Sequence, residues 1–111
     1  MDDKLNALDR LIEAVEDRTA SGDIFSAAFP SLDYNGTLAW RLVWRAYTGD
    51  LNSFNRLLKL LLPDWRARLD IGKRNRCWMV GPQNQKIDAY GADPARAGLL
   101  AILRAYRSMQ A

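Results

Sequence analysis

Between Leu5 and Val15 the apolar residues Leu5, Leu8, Leu11, Ile12 and Val15 recur at steps of three and four, which places them on one face of a helix. The pattern predicts a first helix from Asp2 or Asp3 to Arg18, with acidic residues at the positive end of its dipole. Thr19-Ala20-Ser21-Gly22-Asp23 reads as a turn. From Ile24 to Asp33, Phe25, Phe29 and Leu32 are apolar but Pro30 interrupts any long element. A short helical turn is expected there, followed by a loop that pins two Phe side chains against the core.

A second helix is expected from Gly36 to Thr48, with Asn35 as its N-cap. Trp40, Val43, Trp44 and Tyr47 fall at i, i+3, i+4 and i+7, an amphipathic stripe read as a core face or as an exposed anchor for a partner. Gly49 follows where a left-handed C-terminal cap belongs, and Asp50 stands ready to cap a third helix. That helix should bury Leu51, Phe54, Leu57, Leu58 and Leu61 and end before Pro63. The short connection makes the two helices neighbours in space.

The period then drops from 3.6 to two. In Trp65-Arg66-Ala67-Arg68-Leu69-Asp70-Ile71 apolar and charged residues alternate strictly, which predicts a half-buried strand with an arginine-bearing solvent face. Gly72-Lys73-Arg74-Asn75 should form the turn and Arg76 to Val80 the second strand of a hairpin. A third strand from Gln85 to Tyr90 would complete a meander. Asp93 as N-cap and Pro94 in the first helical position open a last helix, with Leu99, Leu100, Ile102, Leu103 and Tyr106 on its apolar face. The expected fold is α+β: a small antiparallel sheet of two to three strands packed with about four helices, in the order α-α-α-β-β-(β)-α.

The 111 residues suit one domain over 1–111, and a 49% hydrophobic fraction suits a real core. The lone cysteine, Cys77, excludes an internal disulfide framework and points to a reducing compartment. The start, Met1-Asp2-Asp3-Lys4, lacks a basic stretch followed by an apolar run, so no secretory signal is expected. No apolar run approaches the roughly 20 residues that a bilayer span needs. A cytoplasmic location without membrane contact is expected.

Charge changes this picture most. Residues 1–33 carry eight acidic and three basic groups, net −5, and residues 34–111 carry thirteen basic and five acidic groups, net +8. Two surfaces of opposite sign follow, which either pair with each other or face different partners.

The order Ala46-Tyr47-Thr48-Gly49-Asp50-Leu51, then Leu61-Leu62-Pro63-Asp64-Trp65, then strands, then Asp93-Pro94-Ala95-Arg96-Ala97, resembles small bacteriophage and prophage proteins of the phage ABA-sandwich-domain type. The similarity covers roughly residues 38–108 and rests on three short patches. It implies a phage or prophage origin, a sheet packed with helices, and a role in the phage's dealings with its host. The resemblance brings no catalytic residues, and the basic run at residues 73–76 departs from the group's pattern.

The chain has no histidine, so the commonest general base and nitrogen metal ligand are missing. With one Cys in a core strand, neither a nucleophile nor a zinc site is expected. The glycines are scattered rather than gathered in a phosphate-binding loop. No catalysis, cofactor or metal is expected. Five cations, Arg66, Arg68, Lys73, Arg74 and Arg76, gather in residues 66–76 against one acid, for +4. Arginine forks suit phosphates and carboxylates alike, while a charged strand also serves simply to keep an edge solvated. The acidic helix, with Asp9, Glu13, Glu16 and Asp17, is either a solvated face or an imitation of a phosphate backbone.

These residues and the resemblance lead to the expectation of a non-catalytic phage-type accessory protein that binds a host protein or complex through the basic hairpin. Inhibition of a host antiphage defence, such as a CRISPR–Cas complex, is one form this would take. A small nucleic-acid-binding regulator using the same hairpin and a phage structural or assembly component are the alternatives.

Overall fold

Four helices and three strands succeed one another in the computed structural model, which describes residues 3–17, 34–72 and 75–110 and side chains over 6–17, 41–72 and 75–109. They are α1 (Asp3–Asp17), α2 (Tyr34–Tyr47), α3 (Leu51–Leu61), β1 (Arg66–Asp70), β2 (Asn75–Val80), β3 (Lys86–Gly91) and α4 (Pro94–Gln110). The α+β class and the element order are those expected, and the third strand is present. The strands form an antiparallel sheet in the order β1-β2-β3. The expectations for Thr19–Asp33 lie outside the described residues.

The last helix organises everything else. One flank of α4 packs on the sheet and the rest meets α1, α2 and α3. Its sequence allows this because small and large apolar residues cover most of its circumference: Ala95, Ala97, Ala101 and Ala105 are buried along with Leu99, Leu100, Ile102 and Leu103. A helix with so broad an apolar face belongs against the core, and Arg96, Arg104 and Arg107 occupy its remaining, partly exposed stripe. Asp93 caps it by accepting a hydrogen bond from the Arg96 backbone N–H at 2.9 Å. Two glycines let neighbours come close. A Cβ on Gly98 would sit 2.5 Å from the Phe54 ring of α3, and one on Gly91 would sit 2.5 Å from the Ala97 backbone nitrogen.

The α2–α3 hairpin turns through Gly49, whose φ of +105° is the left-handed conformation expected of it. Asp50 caps α3, accepting from the backbone N–H groups of Asn52 and Ser53 and from the Ser53 hydroxyl. These bonds stabilise the carboxylate and lower its pKa, the Ser53 hydroxyl most of all. Arg96 of α4 fastens the same corner, donating from Nε to the Tyr47 carbonyl at 2.7 Å with its guanidinium 4.8 Å from the Tyr47 ring centre.

Several expectations are corrected. Asn35 lies within α2, which begins at Tyr34, so it is not the N-cap. Among the described side chains of α2, Leu42, Val43, Ala46 and Tyr47 are buried and Trp44 is 41% exposed, because the helix is rotated so that Leu42 and Ala46 face the core; the Trp40 side chain of the expected stripe lies outside the described residues. Leu51, at the tip of the hairpin, is 36% exposed, and Ser53 is buried on α3 instead, its hydroxyl satisfied by Asp50. Asn75 belongs to β2 rather than to the turn. It pairs with Gly91 and donates from its side chain to the Ala92 carbonyl. Ile71 lies beyond β1 and is 70% exposed.

Candidate functional site

Alternation along three paired strands sorts the sheet into two faces. The inner face, with Ala67, Leu69, Cys77, Met79, Ile87 and Ala89, joins the core. The outer face forms three rows across β1, β2 and β3. The rows are Arg66–Val80–Lys86, Arg68–Trp78–Asp88 and Asp70–Arg76–Tyr90. Among the described residues no helix packs on this side, and Arg66, Arg68, Val80, Lys86, Asp88 and Tyr90 are exposed. A shallow groove of about 690 Å³ runs over the first two rows, with Trp78 and Val80 between Arg66 and Arg68 on one side and Lys86 and Asp88 on the other.

The five cations of the basic hairpin do not act alike. Arg66 and Arg68 stand exposed on β1 and make no ion pair among the described residues. Arg76 is committed: its Nη2 donates to Asp88, and its guanidinium lies 3.8 Å from the Trp78 ring centre and 5.5 Å from that of Tyr90. Its Nε is buried without a hydrogen-bond partner. Lys73 and Arg74 lie outside the described residues. Arg68 approaches the Trp78 ring at 5.9 Å.

Sequence reasoning missed Lys86, Asp88 and Tyr90, which complete the face from β3. Their alternation at i, i+2 and i+4 was the available signal, but it needed the register Val80↔Lys86 to place them beside the hairpin. Lys86 makes no ion pair among the described residues, so it joins Arg66 and Arg68 as a third uncommitted cation. The nine outer side chains carry four positive and two negative charges.

The acidic helix is partly neutralised from within. Arg107 of α4 donates to Asp9 at 2.9 Å, and Arg104 donates to Glu16 at 2.9 Å and to the Asp88 carbonyl at 3.0 Å. The two oppositely charged halves of the chain therefore pair with each other at α1–α4. That leaves Glu13 and Asp17 exposed and without an ion pair among the described residues. Cys77 is fully buried, and desolvation pushes its thiol up to about 12. No three side chains of the metal-ligating types cluster among the described residues, and no described helix is long and apolar enough to cross a membrane. Compared with protein-family models, curated proteins and solved structures, the chain matches none.

Proposed function

We propose that this chain is a non-catalytic accessory protein of phage type that binds a host macromolecule through the outer face of its sheet. The observation that carries the reading is the open face itself: three cations with no ion pair among the described residues surround a tryptophan on a surface that no described element covers. Trp, Tyr and Arg are the residues that dominate binding hot spots, and all three types meet here. The lack of histidine, the commonest general base, and the raised pKa of Cys77 support binding rather than chemistry, since a protonated, buried thiol is inert. The phage setting, action in the host cytoplasm and a target in antiphage defence rest on the resemblance around Ala46–Leu51, Leu61–Trp65 and Asp93–Ala97.

Capture from bacterial lysate, with nuclease treatment in parallel, tests the surface, with wild type compared against Arg66→Glu/Arg68→Glu. The reading expects a stoichiometric partner that the double variant loses while its circular dichroism stays unchanged. Equal capture by both proteins would remove the outer face from the function.

A further inference from the structure

We propose that the outer face of the sheet binds single-stranded nucleic acid, with a base stacked on the Trp78–Arg76–Tyr90 surface and phosphates held by Arg66, Arg68 and Lys86. This rests on the reading above that the outer face is the working surface, and it names the partner class.

Two features of the face point the same way. The first is a cluster of π-faces: the guanidinium of Arg76 lies 3.8 Å from the Trp78 ring centre and 5.5 Å from that of Tyr90. Asp88 accepts a hydrogen bond from Arg76 Nη2, which restrains the guanidinium and offsets its charge. Aromatic rings and guanidinium planes are the groups on which unpaired bases stack. The second is where the uncommitted charge lies. Arg66 and Lys86 flank Val80 in one row, and Arg68 follows on β1 in the next, beside Trp78. Cations at the edge and a stacking platform at the centre suit a chain that alternates phosphate and base. An acidic polypeptide would use the cations and leave the stacked plane idle. A duplex would present phosphates but keep its bases stacked inside, out of reach of a flat sheet.

Three phosphate contacts set the expected strength. For single strands each contact lowers the slope of log K against log salt by about 0.7, so a slope near −2 is expected. Affinity should then fall roughly 20-fold between 50 and 200 mM salt.

The test is fluorescence anisotropy of the full chain with a labelled oligo-dT of about 12 nucleotides, beside a duplex of equal length and a polyglutamate peptide. Binding of oligo-dT with that slope, and preference over the duplex, is the expected result. Arg66→Gln should reduce the slope by about 0.7 and Trp78→Leu should weaken binding at least about fivefold, with Trp78→Phe retaining most of it. Circular dichroism checks that Trp78→Leu still folds, and Arg66→Gln carries the test independently if it does not. Polyglutamate bound in place of oligo-dT would overturn the nucleic-acid assignment while leaving the docking face intact. Equal affinity for duplex and single strand would overturn it as well, because the stacked plane would then contribute nothing.

Discussion

The guanidinium of Arg76 lies 3.8 Å from the centre of the Trp78 ring while its Nη2 donates to Asp88 across the β2–β3 pair. One side chain thus ties the middle strand to the edge strand and covers the largest aromatic group on the open face. The Asp88 side chain is 46% exposed and that of Arg76 28%, so solvent screens the pair and its own contribution is below about 1 kcal/mol. The stacked contact adds about 0.5–1 kcal/mol at such a site. Arg76→Ala should therefore cost about 1 kcal/mol in urea unfolding. Arg76→Lys keeps the charge and gives up the plane, so it should recover only part of that loss. Full recovery by Lys would show that the charge, not the stack, is what matters.

The docking of α1 sets two kinds of interaction against each other. Arg107–Asp9 and Arg104–Glu16 join it to α4 by exposed ion pairs, each worth roughly 0.2–1 kcal/mol. Beneath them Leu8 and Leu11 are fully buried in the core, where truncation to Ala costs about 2–5 kcal/mol. Apolar packing should therefore dominate. Arg107→Ala is expected to lower stability by less than about 1 kcal/mol and to lose its effect in high salt, whereas Leu11→Ala should cost several times more at any salt concentration. An ion-pair variant as damaging as Leu11→Ala in denaturant titration would reverse this ranking.

Gly98 shows how a rule of local propensity gives way to packing. Inside a helix Ala is favoured over Gly by about 1 kcal/mol. Here the added methyl would land 2.5 Å from the Phe54 ring, which is itself buried, and overpacking of this kind costs about 1–3 kcal/mol. Gly98→Ala should accordingly be neutral to destabilising by up to about 2 kcal/mol. Combining it with Phe54→Leu should be less harmful than the sum of the single changes. Additive losses in a thermal-unfolding cycle would place the clash elsewhere.

Where a residue's role depends on its chain neighbours, it was legible in the sequence. Gly49 with Asp50 and Asp93 with Pro94 mark helix ends through backbone geometry alone, and both corners form as expected. Arg66 and Arg68 share a strand face because alternation needs no distant partner. Trp44 was not legible in this way. Apolar residues occupy Leu42, Val43, Trp44, Ala46 and Tyr47, more of the circumference than the core can cover, and only packing against α3 and α4 selects which are buried. Likewise Lys86 joins the cations, and Asp88 withdraws Arg76 from them, only once β2 and β3 are in register.

Cys77 supplies a pH-dependent test of the inner face. The thiol is fully buried behind the sheet, and desolvation raises its pKa from 9.0 to about 12. A group whose folded pKa is raised holds its proton in the native state. Its contribution is therefore complete below pH 9 and is lost progressively as pH climbs from about 9 toward 12, where the unfolded chain gives up the proton first. Wild type should lose stability across that window more steeply than Cys77→Ala, whatever the offset that the smaller side chain introduces at neutral pH. At pH 8 only roughly one native molecule in ten thousand would carry the thiolate, so a thiol reagent should modify Cys77 at the rate of opening rather than at that of a free thiol. Adding urea below the unfolding transition should accelerate the reaction in step with that opening. Rapid modification of the folded protein at pH 8 without denaturant would mean that the inner face of the sheet is accessible, and that α4 does not seal it.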